Sequence, residues 1–395
     1  MNKNILYISY DGLTDTLGQS QILPYVVGLS KKGYSFTILS VEKEERYLKY
    51  KADIQKICEG NNIDWQFIFY TKNPPIISSI FDIQRLKRKA LRLHKARQFS
   101  IVHSRSYMGS IVALFLKNKF DIKFLFDMRG FFPDERVDGG TWNLNKWQYS
   151  KVYQYFKKKE NQFLTQANAV VSLTHAGKRI MQNEWKVQTS VNVIPCATDI
   201  DLFKPVELDF EKKPLTIGYL GSLGTWYMLP EMLALYKIVL HKYPNANFLI
   251  LTPDNASIVY EEALKQQIST ENIEVKFATR SELPVLLSRF DVGLFFIKPS
   301  FSKQASSPVK QGELMSMGIP VITNSGVGDT DEIIQKYKSG VLIEDFTEDE
   351  YTKVVNQIED MLFWNKSDLR EGAIEYFSLE KGIEEYAKIY KKLLS

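Results

Sequence analysis

Short apolar segments alternate with longer amphipathic segments along this chain, and the alternation runs through two successive series. The short segments have the length and turn-rich borders of β-strands, whereas the longer ones have helical periodicity. The predicted strands of the first series are residues 5–10, 35–40, 65–70, 101–104, 123–127, 169–173 and 191–195. Those of the second series are residues 215–220, 247–251, 273–277, 292–296, 320–323 and 341–343. Strands that alternate with helices form parallel sheets, so the pattern predicts an α/β protein.

A polar stretch that contains Pro205, residues 199–213, separates the two series. We therefore expect two Rossmann-like, doubly wound lobes, an N-terminal one over residues 1–200 and a C-terminal one over residues 201–377. Ligands of such sheets bind beyond the carboxyl ends of the strands, and two such lobes are expected to face a central cleft. Polar residues that follow strands are therefore the first candidates for a functional site.

The composition is that of an ordinary globular protein: 395 residues, 44% of them hydrophobic, with a formal net charge of +5. So small a charge does not require nucleic acid as a partner, and we predict none. Cys58 and Cys196 are far apart and lack metal-ligand spacing, which predicts reduced thiols in a cytosolic protein. No apolar run reaches the ~18 residues of a membrane-spanning helix, so any membrane contact is expected to be peripheral.

Glycines mark the turn after the first predicted strand of the N-terminal lobe. Gly12 and Gly18 lie between that strand and a helix predicted to start near Gln19. Glycines allow a ligand close to the backbone and a helix N-terminus favours an anion, but a plain surface turn needs the same residues. The sequence leaves both interpretations of Gly18 open.

A second glycine-rich turn, GYLGSLGTWYM, opens the C-terminal lobe. Its spacing matches neither a dinucleotide fingerprint nor a P-loop. Gly221, Ser222 and Gly224 can still cradle a phosphate or a sugar, and Trp226 and Tyr227 offer stacking faces that a simple turn does not need. We interpret this turn as part of a ligand site.

Two D-x-D triplets, residues 199–201 and 329–331, have the spacing to hold a divalent cation. The first lies in the connection between the lobes. In the second, Asp329 or Thr330 suits the N-cap of the helix that follows. We therefore predict no metal site.

Four histidines occur in the chain. His94 and His241 lie in polar helical segments and are predicted to be solvated. His103 ends a predicted strand and His175 follows one, so both are expected to face the cleft. A strand-end histidine is often structural, but Arg105 follows close by, which makes His103 and Arg105 candidate site residues.

The loop after the fifth predicted strand, residues 127–143, is crowded with charged side chains among glycines and aromatics. These are Asp127, Arg129, Asp134, Glu135, Arg136 and Asp138. Polar loops after parallel strands commonly carry function, since a packing role would favour apolar residues. The loop therefore supplies Asp127, Arg129 and Glu135 as candidates.

A strongly basic helix is predicted at residues 84–98, with no acid among its charges. Its apolar stripe consists of Ile83, Leu86, Ala90 and Leu93. The basic face is either solvated or docks on an anionic lipid surface, where each basic residue contributes about 1 kcal/mol. The candidates for that surface are Arg85, Lys87, Arg88, Lys89 and Arg92.

Taken together, these motifs resemble the retaining glycosyltransferases of family 4, which have the GT-B fold, over nearly the whole chain. The resemblance rests on the first glycine turn, VIPCATDIDLF, GYLGSLG, and the segment from VGLFFIKPS to SSPVKQGELMSMGIPVIT. It implies a nucleoside diphosphate sugar bound mainly by the C-terminal lobe, an acceptor bound by the N-terminal lobe, and no metal or other cofactor. It also implies that the last helix, about residues 378–395, packs back on the first lobe.

Family members carry two glutamates eight positions apart, and Glu313 matches the second, which hydrogen-bonds the ribose hydroxyls. An ionised carboxylate suits a diol because it accepts two hydrogen bonds. The first glutamate, which contacts the transferred sugar, corresponds to Ala305. The resemblance therefore implies that sugar recognition differs here.

The arginine and lysine that neutralise the diphosphate in many relatives correspond to Ser222 and Met228. The leaving diphosphate still needs positive charge, and we expect Lys310, or else Lys298 or Lys303, to supply it. The start of the helix that carries Lys310 adds Ser307, Pro308 and Val309 to the expected donor site.

Arg129 replaces a histidine that approaches the donor sugar in many relatives, and an arginine offers charge to the diphosphate or to an acidic sugar. The nucleobase is expected over residues 277–280, with Thr279 and Arg280 among its contacts. His103 and Asp127 complete the predicted catalytic set.

Together with the basic helix, the resemblance implies retaining transfer of a hexose-type sugar to a hydroxyl of a glycan or lipid-linked acceptor, in bacterial surface polysaccharide synthesis. The expected location is the cytoplasm or the cytoplasmic face of the inner membrane. Two alternatives stay open: a GT-B nucleotide-sugar epimerase, and a degenerate nucleotide-sugar-binding scaffold module. The nucleobase, sugar, acceptor, linkage and oligomeric state do not follow from the residues.

Overall fold

The computed structural model of the protein describes residues 3–74, 76–206 and 214–395. It contains two compact units: the chain up to Pro195 together with Leu379–Ser395, and Cys196–Ser378. Part of the predicted connection, residues 207–213, lies outside the described residues, as does Pro75 in the apolar loop before the basic helix. Each unit is built around one parallel sheet.

The first sheet has seven strands. They are β1 (Asn4–Ser9), β2 (Ser35–Glu42), β3 (Asp64–Phe69), β4 (Ile101–Arg105), β5 (Lys123–Asp127), β6 (Ala169–Ser172) and β7 (Val191–Val193). Their order is β3-β2-β1-β4-β5-β6-β7, with every pairing parallel. Arg105 is paired with Ser9 on one side and Asp127 on the other, so the ends of β1, β4 and β5 lie together at the carboxyl edge.

Helices follow most strands of this sheet. They are α1 (Thr16–Gln21), α2 (Leu23–Lys31), α3 (Glu44–Gly60), α4 (Ile77–Arg97), α5 (Ser106–Phe120), α6 (Phe132–Asp138), α7 (Trp147–Gln166) and α8 (His175–Arg179), which continues into a π-helical turn at Ile180–Glu184. The helix predicted near Gln19 begins at Thr16, so Gly18 lies inside α1 rather than before it.

The second sheet has six strands in the order β10-β9-β8-β11-β12-β13, again all parallel. They are β8 (Thr216–Leu220), β9 (Asn247–Leu251), β10 (Ile273–Lys276), β11 (Val292–Phe295), β12 (Val321–Asn324) and β13 (Gly340–Ile343). The helices are α9 (Leu229–Lys242), α10 (Ser257–Lys265), α11 (Leu283–Leu287), α12 (Val309–Ser316), α13 (Thr330–Tyr337), α14 (Glu348–Met361) and α15 (Lys366–Phe377), with a 3₁₀ turn at Phe301–Ala305.

The last helix, α16 (Leu379–Leu394), belongs to the first unit although it follows the second in sequence. It contacts α2 at two glycines. A Cβ atom on Gly28 would lie 2.1 Å from Ile383 Cδ1, and one on Gly382 would lie 2.7 Å from Tyr25 Cε1. Glycine at both positions lets the two helices approach closely, so the position of α16 depends on these contacts.

All thirteen predicted strands coincide with observed strands, with ends that differ by at most two residues. The prediction of an α/β protein with two Rossmann-like parallel sheets is therefore confirmed. Periodicity succeeds here because buried parallel strands are almost continuously apolar and the intervening helices are amphipathic.

Candidate functional site

A buried lysine lies near the carboxyl edge of the second sheet. Lys310, the second residue of α12, is 6% exposed. Its Nζ donates to the Tyr219 hydroxyl at 3.1 Å and lies 3.5 Å from the centre of the Tyr227 ring. Burial holds the pKa of Lys310 well below its ordinary value, and the nearby Glu313 only partly offsets this. An added negative group beside the ammonium would therefore be strongly favoured.

Glu313 follows Lys310 by one helical turn and is also buried. Burial raises the pKa of its carboxyl group to about 7, while the charges of Arg280 and Lys310 act in the opposite direction. The group therefore changes its protonation near neutral pH. A carboxyl group with so perturbed a pKa is a common mark of a functional site.

Gly221 shapes the turn after β8. Its φ of +133° is a conformation that side-chain-bearing residues rarely adopt, and a Cβ there would lie 2.7 Å from Lys310 Nζ. Glycine therefore keeps space open beside the ammonium. A Cβ on Gly224 would have no atom within 4 Å, so close packing does not require a glycine there. The Ser222 carbonyl accepts a hydrogen bond from Tyr219.

The three lysines expected to face the diphosphate all contact the aromatic pair at the end of this turn. Lys303 is buried in the 3₁₀ turn, with Nζ 3.7 Å from the centre of the Trp226 ring. Lys298 is exposed, and its backbone amide donates to the Trp226 carbonyl at 2.9 Å. Ala305, where relatives carry a glutamate, is 2% exposed. The turn and the lysines thus form one continuous region of the second unit.

The start of α12 lies beside the same region. Pro308 occupies the N-cap position and Val309 is the first helical residue. The Ser307 hydroxyl accepts a hydrogen bond from the Cys196 amide at 3.2 Å, which ties the helix start to the first residue of this unit. Ser307, Pro308 and Val309 are each half-buried.

The loop after β10 carries the residues expected to contact the nucleobase. Thr279 is exposed, and its hydroxyl and amide both donate to Glu282, at 2.6 and 2.8 Å. Arg280 lies 3.7 Å from Asp199 and its charge acts on Glu313. The tertiary structure therefore brings Arg280, Lys310 and Glu313 within electrostatic reach of one another.

The D-x-D triplets have partners within the protein. Asp199 accepts a hydrogen bond from the Leu202 amide, and Asp201 pairs with Lys204. Asp329 stands at the N-cap position of α13, but its side chain makes no capping bond and instead accepts a hydrogen bond from Tyr376 at 2.7 Å. The predicted N-cap position of Asp329 is therefore confirmed, although its side chain does not form a capping hydrogen bond. Within the described ranges, no group of three or more His, Cys, Asp or Glu side chains has the arrangement of a metal site.

In the first unit a buried cluster surrounds Asp127 at the carboxyl end of β5. Asp127 accepts a hydrogen bond from the Tyr386 hydroxyl of α16 at 3.0 Å. Its carboxylate lies 3.5 Å from His103 Nε2 and 3.7 Å from Arg129 Nη1. Burial opposes ionisation, yet Arg129, His103 and Arg105 together hold the pKa of Asp127 below its ordinary value. Asp127 is therefore an ionised carboxylate in the interior of this unit.

Two histidine predictions require correction. His103 does not face an open edge: it is 1% exposed, and its Nδ1 lies 2.6 Å from the Tyr390 hydroxyl of α16. Burial lowers its pKa and so favours the neutral imidazole, although Asp127 acts in the opposite direction. His94 is not solvated either, since it packs on Phe120 and its Nδ1 accepts a hydrogen bond from the Phe99 amide. Both errors arise because neighbours distant along the chain cover these side chains.

The other two histidines are at the surface, as are parts of the loop after β5. His175 and His241 are exposed. Glu135 lies half-buried on α6. Its neighbour Asp134 accepts hydrogen bonds from Tyr153 at 2.8 Å and Lys157 at 2.9 Å, so Asp134 fastens α6 to α7.

Sequence reasoning missed Glu42, which organises the first glycine turn. This fully buried carboxylate accepts hydrogen bonds from the Leu13 amide (2.7 Å), the Thr14 amide (3.1 Å) and the Thr14 and Ser40 hydroxyls (both 2.5 Å). The sequence feature that could have revealed Glu42 is an acidic residue at the end of the apolar strand SFTILSVE. Buried carboxylates need such partners, so Glu42 holds residues 12–14 in place.

Gly18 contributes to the same turn by packing. A Cβ there would lie 2.0 Å from the Gly12 carbonyl oxygen, and a Cβ on Gly12 would lie 2.6 Å from Glu42 Oε2. Both glycines are required by close contacts within the unit. This observation supports the structural interpretation of Gly18 and leaves its ligand contact a prediction.

The basic face of α4 divides into two parts. Arg85 donates to the Phe69 carbonyl at 3.0 Å and Lys89 to the Phe67 carbonyl at 2.7 Å. Both side chains therefore satisfy backbone carbonyls on the free edge of β3. Lys87 lies 5.4 Å from the Phe115 ring centre. Arg88 and Arg92 are exposed. They line a groove of about 570 Å³ beside β3 together with Ile68, Arg85, Lys89 and Leu93.

Exposed apolar side chains stand before this groove, at the start of α4. They are Ile76, Ile77, Ile80 and Phe81. None of the helices that the structure describes is both long and apolar enough to span a membrane. The surface formed by these four residues with Arg88 and Arg92 is called the α4 surface below.

Comparison with solved structures defines the class of fold. Sucrose-phosphate synthase from Thermosynechococcus elongatus superposes with a TM-score of 0.74 at 14% identity, covering 99% of both chains. A glycosyltransferase from Rickettsia africae gives 0.72 at 16% identity, covering 99% of this chain and 98% of that one. HepE from Anabaena, in complex with UDP and glucose, gives 0.66 at 13% identity, covering 98% and 99%. The fold is therefore GT-B.

Family models identify the chain more closely. The model Glycosyltransferase Family 4 matches residues 25–202, and the model Glycosyl transferases group 1 matches residues 202–376. The protein belongs to the family 4 glycosyltransferases, which confirms the resemblance found in the sequence. No curated protein sequence matches the chain.

Proposed function

We propose that this protein transfers a sugar from a nucleoside diphosphate sugar to a hydroxyl group of a glycan or lipid-linked acceptor, with retention at the anomeric carbon. The observation that carries the proposal is the buried pair Lys310 and Glu313 on α12, next to the turn at Gly221. A buried ion destabilises the protein unless a partner compensates for its lost hydration. A nucleotide sugar offers such partners to both groups: phosphate to Lys310 and ribose hydroxyls to Glu313.

Glu313 is proposed to bind the two ribose hydroxyls, because an ionised carboxylate accepts both hydrogen bonds of a diol. Arg280 keeps positive charge near Glu313, which favours the ionised form that this role requires. The nucleobase would then lie over residues 277–280. Ala305 offers no polar group to the transferred sugar, so recognition of that sugar falls to other residues.

Lys310 is proposed to neutralise the diphosphate. Its pKa is low because the ammonium is desolvated among tyrosines, and a phosphate beside it would raise that pKa again by stabilising the charged form. The missing side chain at Gly221 leaves space for such a group at the ammonium. Lys303, whose Nζ lies over the Trp226 ring, and Lys298 would add further positive charge, so the proposed site supplies cations for the leaving group without a metal.

In the proposed reaction the bond between the anomeric carbon and the diphosphate oxygen breaks, and the acceptor oxygen bonds the anomeric carbon on the same face. The electron pair of the broken bond leaves with the diphosphate, which takes the acceptor proton. The transition state is cation-like at the sugar and anionic at the phosphate. Positive side chains at the phosphate therefore stabilise the transition state more than the bound donor.

Peripheral membrane association is a second part of the proposal, and it rests on the α4 surface. Apolar side chains exposed by 43–64% at Ile76, Ile77, Ile80 and Phe81 stand beside two exposed arginines. Apolar insertion combined with basic residues binds anionic lipid interfaces. Two solved structures of similar fold are described as lipopolysaccharide glycosyltransferases, WaaG and WaaB, which favours a lipid-linked acceptor in surface polysaccharide synthesis.

The membrane test is co-sedimentation with vesicles that contain or lack anionic lipid. The double variant Arg88→Glu/Arg92→Glu is expected to lose binding to anionic vesicles. Lys31→Glu/Lys32→Glu, which makes the same charge change on exposed residues at the end of α2, is expected to retain it. Equal binding by both variants would contradict a role for the α4 surface.

The catalytic test is incubation with UDP-, GDP- and CMP-linked sugars, scored by thermal shift and by release of free nucleotide. Stabilisation by one donor class, with nucleotide release that rises when an acceptor is added, is expected. Conversion of one nucleotide sugar into another would favour the epimerase alternative. Binding without turnover in the presence of acceptors would favour the scaffold module.

A further inference from the structure

Two buried arginines lie at the carboxyl edge of the first sheet. Arg105 is 5% exposed, and the Arg129 side chain is 6% exposed. The charges of both act on the buried carboxylate of Asp127. A buried guanidinium needs acceptors for its N–H groups, so the partners of Arg105 decide whether this edge can take a further anion.

Arg105 has spare hydrogen-bonding capacity. Its buried Nε and Nη1 atoms have no hydrogen-bond partner among the residues the structure describes. The nearest acid, Asp11, lies 3.5 Å from Nε, beyond good hydrogen-bond geometry. Fixed guanidinium donors of this kind match a carboxylate or a phosphate.

Two features show that the unpartnered N–H groups of Arg105 lie close to the protein surface. The Asp11 side chain is 42% exposed, so Arg105 lies directly beneath a group that contacts water. The 15-residue helix α5 begins at Ser106, so the positive end of its dipole adjoins the same spot. An anion that displaces Asp11 from Arg105 would meet both the guanidinium and the helix start.

We propose that Arg105 binds an anionic group of the acceptor, a carboxylate or a phosphate, and that Asp11 occupies this position until the acceptor arrives. The inference rests on the proposed function, since it assigns the acceptor to the first unit. The diphosphate of the donor has separate candidates, the three lysines of the second unit. The acceptor is therefore an acidic or phosphorylated sugar rather than a neutral one.

The test compares binding of glucose, glucuronate and glucose 6-phosphate to the full-length protein by saturation-transfer NMR, at constant ionic strength. Glucuronate or glucose 6-phosphate is expected to bind more tightly than glucose, and the stronger of the two identifies the anionic group. Arg105→Gln is expected to weaken that binding roughly ten- to a hundredfold, the size of a charge-assisted hydrogen bond, whereas Arg105→Lys retains part of it.

Asp11→Asn tests the proposal in the opposite direction, since this variant is expected to bind the anionic sugar more tightly. Removing the competing carboxylate is expected to strengthen binding of the anionic sugar several-fold, by roughly threefold or more for a partly exposed charge. Arg136→Gln, a change at an exposed arginine on α6, serves as the control and is expected to leave binding unchanged. Thermal unfolding of each variant checks that the fold is intact.

Three results would overturn the proposal. These are equal binding of glucose and both anionic sugars, unchanged binding in Arg105→Gln, and displacement of the anionic sugar by UDP or GDP alone, which would assign the site to the donor diphosphate. Nucleotide release from a donor without any acceptor is measured in parallel. It reports on donor binding and cleavage by themselves, so failure of the acceptor assignment is distinguishable from failure of the proposed donor chemistry.

Discussion

The pKa of Glu313 makes donor affinity depend on pH in a defined direction. Burial raises this pKa to about 7, and only the ionised carboxylate accepts both ribose hydrogen bonds. For a pKa of about 7, the ionised fraction rises from ~9% at about pH 6 to ~91% at about pH 8, so the dissociation constant is expected to fall about tenfold. Loss of the proton from Lys310 at higher pH would weaken binding again.

The same shift has a consequence for stability. An acid whose folded pKa lies above its unfolded value costs stability once the unfolded chain can ionise. The free energy of unfolding therefore decreases as the pH rises from about 4.5 to about 7, by about 3 kcal/mol in total, and it stays lower above that pH. Glu313→Gln is expected to be more stable than the native protein at pH 8 by up to ~3 kcal/mol and no more stable at pH 4.

The assay is titration calorimetry with the nucleotide sugar that gives the largest thermal shift, between pH 6 and pH 8. A nucleotide sugar is preferred to a free nucleoside diphosphate, whose terminal phosphate itself titrates at about pH 6. Glu313→Gln should bind the nucleotide sugar weakly, and its affinity should not increase between pH 6 and pH 8. Glu359→Gln, a change at an exposed glutamate of the same unit, should behave like the native protein. A tenfold change that persists in Glu313→Gln would refute the assignment.

Four further predictions concern single contacts. Lys310→Ala should reduce nucleotide release more than Lys303→Ala, since the Lys310 ammonium lies at the space beside Gly221. Equal losses in initial rate would show that Lys310 is not the main partner of the diphosphate. Gly221→Ala should cost about 1–3 kcal/mol in denaturant unfolding, because its φ is +133°, and should also weaken donor binding. Glu42→Gln should destabilise by about 3 kcal/mol, since an amide cannot accept all four hydrogen bonds, whereas exposed Glu45→Gln should be neutral. Tyr386→Phe should cost about 1–2 kcal/mol by removing the donor to Asp127, and an unchanged unfolding midpoint would show that α16 does not depend on this bond.

Part of the candidate site was accessible from the sequence. Lys310 and Glu313 are three positions apart on a helix, so their proximity follows from helical geometry alone. A glycine after β8 could likewise be recognised, because a strand-to-helix turn commonly needs one. What stayed hidden was the reason for Gly221, which is the Lys310 ammonium 89 positions later in the chain.

The amino-acid sequence by itself determined the order of strands and helices and the α/β class, since periodicity and turn residues act over a few neighbouring positions. Only the tertiary structure decided which charged groups lose contact with water. It buried Lys310 and Glu313, brought Arg280 to Glu313, covered His103 and Asp127 with α16, and left Arg105 beneath Asp11. Desolvation depends on every atom that surrounds a group, including those from distant parts of the chain, and no local pattern encodes it.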